Sequence, residues 1–287
     1  MDKIIDSAYC YINLNQAYSM PIAKLDDVDL YYEVKGKGHP TVLINGYGGT
    51  SDTWDDSEPV TQTLSKTYQI ITQDNRGTGR SSQPEGPYST SIMADDIANL
   101  LDHLSLPKAN IIGVSMGGMI AQEVALRHPE IVNKLVLVCT TPGGEYWDIP
   151  GQSEAGEKLT WFFNPPENMS MKDIQREVLG LVYYPDYLAV HKERIMNKVP
   201  AYPVAVEIFK KQYSACMSHD TIGRLDSLDV GTLVIHGLDD LLIFPECGEA
   251  LAERIPNAEL LMYSNAGHAV HVEKWSEVRP KLLDFLE

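Results

Sequence analysis

Basic residues, cysteine and long apolar runs are all scarce in this chain. Lys and Arg together number 23 against 40 Asp and Glu, which gives a formal net charge of −17 at pH 7. Such a charge opposes binding to nucleic acid and to anionic membrane surfaces. No apolar run in the sequence approaches the roughly 20 residues that a membrane-spanning helix needs. We therefore expect neither nucleic acid nor a membrane among its partners.

The four cysteines, Cys10, Cys139, Cys216 and Cys247, are widely separated in the sequence. They form neither a C-x-x-C pair nor a cluster with histidines at metal-ligand spacing. The sequence does not open with a basic segment followed by an apolar one, so we expect no secretory signal. Free thiols without such a signal are typical of a reducing compartment and predict a cytoplasmic protein. We expect no metal and no organic cofactor.

Short runs rich in Val, Ile and Leu alternate with helical patterns over most of the 287 residues. Runs that are apolar throughout are typical of strands buried on both faces of a parallel sheet. The alternation predicts an α/β fold with a mostly parallel central sheet flanked by helices. The predicted strands are 30–34, 41–44, 69–72, 109–114, 134–139, 232–236 and 259–263, and the predicted core helices are 91–104, 119–126, 246–255 and 277–286.

The alternation stops at residues 141–221, which show helical patterns and no convincing strand. Ligands bind outside the carboxyl ends of the strands in open α/β sheets, so a helical insertion there is a candidate lid. Its predicted helices are 171–182, 187–199 and 203–217. The predicted organisation is an N-terminal extension (1–20), a core (21–140 and 222–287) and this helical cap (141–221).

The segment Gly113-Val114-Ser115-Met116-Gly117 lies between a predicted strand and a predicted helix. A G-x-S-x-G sequence in that setting is typical of a nucleophile elbow, a sharp turn that exposes the serine hydroxyl. Glycine is needed at positions 113 and 117 because Cβ atoms there would collide with nearby backbone. We predict that Ser115 is a nucleophile, and the alternative is an ordinary glycine-rich turn.

A serine nucleophile needs a base, and the base needs an acid that orients it. Asp240 and His268 each follow a predicted strand, so they lie at the same edge of the sheet as Ser115. We predict that His268 is the base and that Asp240 fixes its tautomer. Asp239 and His271 are the alternatives for these two roles.

Acyl transfer also needs hydrogen-bond donors for the oxyanion. The residue after the nucleophile, Met116, supplies one backbone N–H in such elbows. We predict the second at Tyr47, in the glycine-rich loop 45–49 that follows a predicted strand, with Gly46 facing the substrate. Three residues of the predicted cap are candidate substrate contacts: Trp161, Tyr183 and Met217. The alternative is that these side chains only pack the core of the cap itself.

Together these motifs resemble those of the α/β-hydrolase fold superfamily, over residues 21–287. The segment 74–81 (DNRGTGRS) is similar to the D-x-R-G-x-G-x-S turn of that family, and Gly237-x-x-Asp240 also fits. The resemblance implies that Asp74 and Arg76 are mainly structural. Asn45 departs from the family pattern, since many relatives carry histidine there, and we expect this to alter loop bracing more than catalysis.

A serine at the elbow implies an acyl-enzyme and therefore attack on an ester, lactone, thioester or amide. Dehalogenases and epoxide hydrolases of this fold carry aspartate there. Segment 113–130 and the helical lid most resemble small carboxylesterases and 3-oxoadipate enol-lactonases. We predict a carboxylic-ester hydrolase, with an enol-lactonase or other lactonase as the alternative and a small-molecule receptor as the non-enzyme alternative.

The expected partner is therefore a small-molecule ester or lactone, and assembly into a homo-oligomer stays open. A dicarboxylate lactone would need cationic side chains in the lid. No pair of basic residues there stands out, and the candidates are Lys158, Lys172, Arg176 and Arg194.

Overall fold

The computed structural model describes residues 21–146, 157–158, 160–161, 164–197 and 201–287. Its strands are β1 (Ile22–Lys24), β2 (Asp29–Lys35), β3 (Pro40–Ile44), β4 (Gln69–Gln73), β5 (Ala109–Val114), β6 (Val132–Val138), β7 (Thr232–Gly237) and β8 (Ala258–Tyr263). They form one sheet in the order β1-β2-β4-β3-β5-β6-β7-β8. Neighbouring strands from β4 to β8 in this order run parallel. Strand β2 pairs antiparallel with both β1 and β4. This confirms the predicted mostly parallel α/β sheet.

Helices cover both faces of this sheet. The helices are α1 (Val60–Leu64), α2 (Thr90–His103), α3 (Met116–Arg127), α4 (Met171–Val182), α5 (Pro185–Met196), α6 (Val206–Met217), α7 (Pro245–Arg254), α8 (Val270–Glu273) and α9 (Trp275–Leu286). Apolar residues of α2, α3 and α7 pack on one face of the sheet, and those of α1 and α9 pack on the other.

Strand β5 shows why the central runs are apolar throughout. All six of its residues are buried, because side chains alternate between two covered faces. Ile111 packs in the core that holds α2 and α3, and Ile112 packs in the core that holds α1 and α9. Burial of each such side chain contributes about 1.5–3 kcal/mol, so the strand is fixed from both sides.

Several boundaries differ from the sequence predictions. The strand predicted at 134–139 spans Val132–Val138, and Cys139 beyond it has a left-handed φ of 44° that ends the strand. Helix α4 has the predicted bounds, whereas α5 begins at Pro185 and α6 at Val206. In the described part of 141–221 the helices α4, α5 and α6 occur without a strand. The predicted extension 1–20 lies outside the described residues, and the division into core and cap stays a prediction.

Arg76 has the structural position that the resemblance implied. Its guanidinium is 2% exposed and donates to Asp96 on α2 at 2.6 and 2.7 Å and to Asp27, between β1 and β2, at 2.9 and 3.1 Å. A buried arginine needs this full set of acceptors. Arg76 therefore ties α2 to the antiparallel edge of the sheet. Among the residues that the structure describes, no helix has the length and apolarity needed to cross a membrane.

Candidate active site

Ser115 lies at the turn between β5 and α3 in a strained backbone conformation. Its φ is 57° and its ψ is −123°, a combination that a non-glycine residue adopts only when its surroundings impose it. A Cβ on Gly113 would lie 2.1 Å from the carbonyl oxygen of Gly117, and one on Gly117 would lie 2.1 Å from that of Ile44. The strand and the helix approach each other as closely as the elbow motif requires, which leaves Ser115 at the apex.

His268 and Asp240 meet beyond the carboxyl ends of β8 and β7. The imidazole Nδ1 lies 2.8 Å from Oδ2 of Asp240, and the two residues are 7% and 1% exposed. The two loops are held together by the backbone N–H of Asp239, which donates to the carbonyl of Ala266 at 2.9 Å. With its Nδ1–H donated to the carboxylate, His268 has Nε2 left as its proton acceptor.

The Asp240 carboxylate is held ionised although it is almost completely buried. Burial alone would raise the pKa of Asp240, but electrostatic interaction with His268 and hydrogen bonds from His236 and His268 together lower it well below the usual range. Its other oxygen, Oδ1, accepts the backbone N–H groups of Leu242 at 2.9 Å and Ile243 at 3.0 Å. The site therefore contains a fixed negative charge beside the imidazole.

His236 is a second histidine at this carboxylate. Its Nε2 lies 2.8 Å from the carbonyl oxygen of Ile243 and 3.3 Å from Oδ2 of Asp240. A carbonyl only accepts hydrogen bonds, so Nε2 of His236 is the donor in this contact. No sequence motif marks His236, and its contact with Asp240 arises from the bend of the chain after β7.

The two alternatives from the sequence are placed differently. Asp239 is exposed, whereas Asp240 is paired with His268. His271 makes no hydrogen bond with any described carboxylate, and burial together with nearby His268 lowers the pKa of His271 to about 4. The geometry therefore brings together Asp240 and His268.

Ser115 and His268 both line one cavity of about 510 Å³. Four other residues that the sequence predicted for the site also line this cavity: Gly46, Tyr47, Tyr183 and Met217. Several elements contribute apolar side chains to the lining, and these include Trp54, Met119, Val178, Val182, Ile195, Phe209 and Leu242.

The predicted substrate contact at Trp161 stays a prediction, because the structure does not place this side chain against the cavity. It is not one of the described lining residues, and its ring centroid lies 5.9 Å from Nζ of Lys158. Of the four basic candidates of the lid, only Arg194 lines the cavity among described residues. Arg176 pairs with Asp173, 2.9 Å away.

The predicted oxyanion donors are Met116, directly after the serine, and Tyr47, in the loop whose Gly46 borders the serine. The backbone N–H groups of Tyr47 and Met116 donate to no acceptor among the described residues, so both are available. The next N–H in the loop, that of Gly48, is already taken by Oε1 of Gln212 at 2.9 Å. The side chain of Met116 is fully buried, so its backbone alone can reach a ligand.

Asn45 braces the glycine-rich loop in spite of its departure from the family pattern. Its Oδ1 accepts the hydroxyl of Thr53 at 2.8 Å, and its carbonyl accepts the amide of Asn75 at 3.1 Å. The loop that precedes Tyr47 is therefore anchored on two sides.

A group of three potential metal ligands lies behind the carboxylate. Ligand atoms of Cys139, His236 and Asp240 are all within 4.8 Å of one another. The Nε2 proton of His236 is directed to a carbonyl, and Asp240 Oδ2 is engaged by His268. Burial raises the pKa of the Cys139 thiol well above its ordinary value, which opposes the thiolate that a metal needs. These residues do not fit a metal site.

Sequence reasoning missed two contributions of α6. Phe209 lines the cavity, and Gln212 holds the glycine-rich loop. The available signal was the spacing of Ile208, Gln212 and Cys216, which places a glutamine on the apolar face of a helix. An uncharged polar residue on such a face needs a specific partner.

Comparisons with known proteins agree with this geometry. A sequence model of the alpha/beta hydrolase fold family matches residues 40–274. A relative from Caulobacter segnis, provisionally named carbamate hydrolase RutD, is 30% identical over 89% of this chain and 96% of its own length.

Two solved structures are also similar. The enol-lactonase from Burkholderia xenovorans has a TM-score of 0.80 at 25% identity and covers 93% of this chain and 99% of its own. A thermophilic esterase from Thermogutta terrifontis has a TM-score of 0.76 at 26% identity and covers 90% of this chain and 93% of its own. These matches confirm the resemblance seen in the motifs: the chain is a hydrolase of the α/β hydrolase fold family.

Proposed function

We propose that this hydrolase cleaves carboxylic esters through an acyl-enzyme on Ser115. The observation that carries the proposal is the strained serine, which shares a cavity with the imidazole of a buried His268–Asp240 pair. This combination supplies a nucleophile, a base and a fixed tautomer, which are the parts that acyl transfer needs.

In the first half of the reaction, Ser115 Oγ attacks the ester carbonyl carbon while Nε2 of His268 takes the hydroxyl proton. The carbonyl oxygen becomes an oxyanion that accepts the N–H groups of Tyr47 and Met116. Collapse breaks the bond to the alkoxy oxygen, which leaves as the alcohol with the proton from His268. The negative charge of Asp240 stabilises the imidazolium between these two transfers.

In the second half, water attacks the acyl carbon of the Ser115 ester, and His268 takes one proton from it. The second tetrahedral oxyanion occupies the same two N–H groups. Its collapse releases the carboxylic acid and returns the proton to Ser115 Oγ. Esters and lactones need less leaving-group activation than amides, so they are the favoured substrates.

Lactone hydrolysis is the second candidate, and Arg194 is the observation that favours it. Arg194 lines the cavity, is exposed, and contacts neutral groups: the Ser57 carbonyl at 3.4 Å and the Tyr187 hydroxyl at 3.3 Å. A cation with neutral partners can bind the carboxylate of a charged lactone. The structural likeness to an enol-lactonase supports the same reading.

A panel of p-nitrophenyl esters and lactones tests the proposal. We expect ester hydrolysis by the wild type and a loss of roughly 10⁴-fold or more in kcat for Ser115→Ala. Ser57→Ala is the matched control, because Ser57 also lines the cavity, and it should keep most of the activity. A fluorophosphonate probe should label the wild type and Ser57→Ala and leave Ser115→Ala unlabelled.

Three outcomes would contradict the proposal. Equal hydrolysis by the wild type and Ser115→Ala would remove this serine from the mechanism. Tight binding of small molecules without labelling or turnover would favour the receptor alternative. Turnover of lactones alone would replace the ester proposal with the lactonase.

A further inference from the structure

Two long-range hydrogen bonds tie the glycine-rich loop 45–49 to helix α6. The hydroxyl of Tyr47 donates to the carbonyl of Phe209 at 2.9 Å. The backbone N–H of Gly48 donates to Oε1 of Gln212, also at 2.9 Å. The loop follows β3 near the start of the chain, so these contacts join it to the helical segment between β6 and β7.

Gln212 is placed to serve this one contact. Its side chain is fully buried, and its Nε2 has no hydrogen-bond partner among the described residues. An unpaired buried donor is unfavourable, and an apolar side chain of similar shape would avoid it. The observed glutamine is therefore best explained by its oxygen, which accepts from the loop.

The loop and the helix also pack tightly. Gly48 has a φ of +69°, and a Cβ there would lie 2.8 Å from Cε1 of Phe209. The rings of Tyr47 and Phe209 have centroids 5.2 Å apart. Position and orientation of the loop therefore depend on α6 as well as on the sheet.

The contact decides which N–H groups of the loop remain available. Gly49 donates to the carbonyl of Gly46 at 3.1 Å, and Gly48 donates to Gln212. The N–H of Tyr47 is left without a protein acceptor among the described residues. Gly46 borders the serine, since a Cβ there would lie 3.2 Å from Cβ of Ser115. A shift of the loop would therefore move the Tyr47 donor relative to the reacting oxygen.

We propose that Gln212 is a positioning residue for the oxyanion hole. By holding the Gly48 N–H, its oxygen fixes the loop so that the Tyr47 N–H faces the oxyanion formed at Ser115. Phe209 and Met217 of the same helix line the cavity, so the element that contacts the substrate also sets the donor geometry. The inference rests on the proposed ester hydrolysis and adds a residue that no motif marks.

Gln212→Met and Gln212→Glu form the test, because methionine keeps the length without an acceptor and glutamate keeps the acceptor. Complete removal of an oxyanion donor costs roughly 10²–10³ in kcat, and a displaced donor should cost less. We expect Gln212→Met to lower kcat on p-nitrophenyl butyrate by roughly 10–10² with little change in KM. Gln212→Glu should recover most of this loss. The exposed Gln62→Met is the matched control.

A trifluoromethyl ketone provides the readout that a purely structural role would not move. It forms a tetrahedral adduct with Ser115 whose oxyanion occupies the same donors. Its inhibition constant should rise in Gln212→Met by about the same factor as kcat/KM falls, since transition-state mimics follow the loss of transition-state stabilisation. Tyr47→Phe, which removes the other tie, should change both quantities in the same direction and serves as the second variant if Gln212→Met does not fold.

The outcomes separate the inference from the proposed function. Wild-type kcat and ketone affinity in both Gln212→Met and Tyr47→Phe would overturn the positioning role and leave ester hydrolysis intact. A change confined to KM or to the melting temperature would do the same. A wild type that neither hydrolyses esters nor binds the ketone would overturn both.

Discussion

At the scale of single residues, the buried carboxylate of Asp240 is contacted by four separate groups. Its two oxygens accept from Leu242 and Ile243 and contact His236 and His268, although the residue is 1% exposed. Such an arrangement keeps the carboxylate ionised without solvent, because each lone-pair direction has a donor. The charge is thereby fixed at the Nδ1 side of the imidazole, where it selects the tautomer that leaves Nε2 free to accept a proton.

Asp240→Asn should therefore be far more damaging than Asp239→Asn. An amide that presents its NH₂ to Nδ1 favours the wrong imidazole tautomer, and it also lacks the charge that stabilises the imidazolium. We expect kcat on p-nitrophenyl esters to fall by roughly 10³–10⁴ for Asp240→Asn. Asp239→Asn is the matched control because this neighbour is exposed, and its kcat should stay within about 2-fold. A larger loss of kcat in Asp239→Asn than in Asp240→Asn would show that Asp239, one position earlier, is the acid that orients His268.

Local motifs predicted Ser115, Asp240 and His268, because each follows a strand and the carboxyl ends of parallel strands share one edge. The contact between His236 and Asp240 could not be predicted in this way. It depends on how the chain turns after β7, which brings the carbonyl of Ile243 back onto the imidazole. The orientation of Trp161 could not be predicted either, since composition alone does not say which face of a lid an aromatic residue occupies.

At the scale of elements, the elbow depends on the closeness of β5, α3 and β3. Gly117 on α3 lies so near the end of β3 that its missing Cβ would approach the Ile44 oxygen to 2.1 Å. Backbone atoms at the end of a central strand cannot move aside as a flexible side chain can. The strain at Ser115 is therefore maintained by the packing of three elements.

Gly117→Ala should destabilise the protein, whereas Gly180→Ala should not. At position 117 the added methyl must displace strand backbone, and overpacking typically costs about 1–3 kcal/mol. Gly180, the matched control on α4, has no atom within 4 Å of an added Cβ, so alanine there should stabilise the helix by about 0.5–1 kcal/mol. Urea unfolding of both variants measures the two changes. A stable, fully active Gly117→Ala would show that β3 and α3 can separate.

Element length decided which secondary structure the sequence could predict. Helix α4 has the predicted bounds because its 12 residues repeat an apolar pattern over three turns. Strand β1, with three residues, and helix α8, with four, contain too few positions for any period to show. Helix α8 nevertheless borders the site, because it follows directly on the loop that carries His268.

At the scale of the whole molecule, the sheet order explains why distant residues form one site. Strands β3, β5, β6, β7 and β8 are successive neighbours and run parallel, so the loops after β3, β5, β7 and β8 emerge at one edge. The alternation of elements in the sequence predicted this edge. The depth of the cavity and the tie between α6 and the glycine-rich loop depend on how the helical segment packs, which no local pattern encodes.

The same packing buries a titratable residue away from the cavity. His219 follows α6, is 2% exposed and contacts the hydroxyl of Thr90 through Nδ1 at 3.0 Å. Its Nε2 is buried with no partner among the described residues. Burial and the nearby charge of Arg224 lower the pKa of His219 to about 3. The folded protein therefore keeps this ring neutral at pH values where the unfolded chain would protonate it.

This difference predicts that the free energy of unfolding falls in mild acid. Unfolded His219 takes up a proton below a pKa of about 6.5, whereas the folded protein resists until about 3, so stability is present above 6.5 and is lost as the pH falls below it. Each pH unit in that window costs about 1.4 kcal/mol, or about 2 kcal/mol between pH 7.5 and 5. Urea unfolding of wild type and His219→Gln at both pH values should show this loss in the wild type and about 2 kcal/mol less of it in the variant. The exposed His39→Gln should follow the wild type, and equal pH dependence in all three proteins would show that His219 is protonated in the fold.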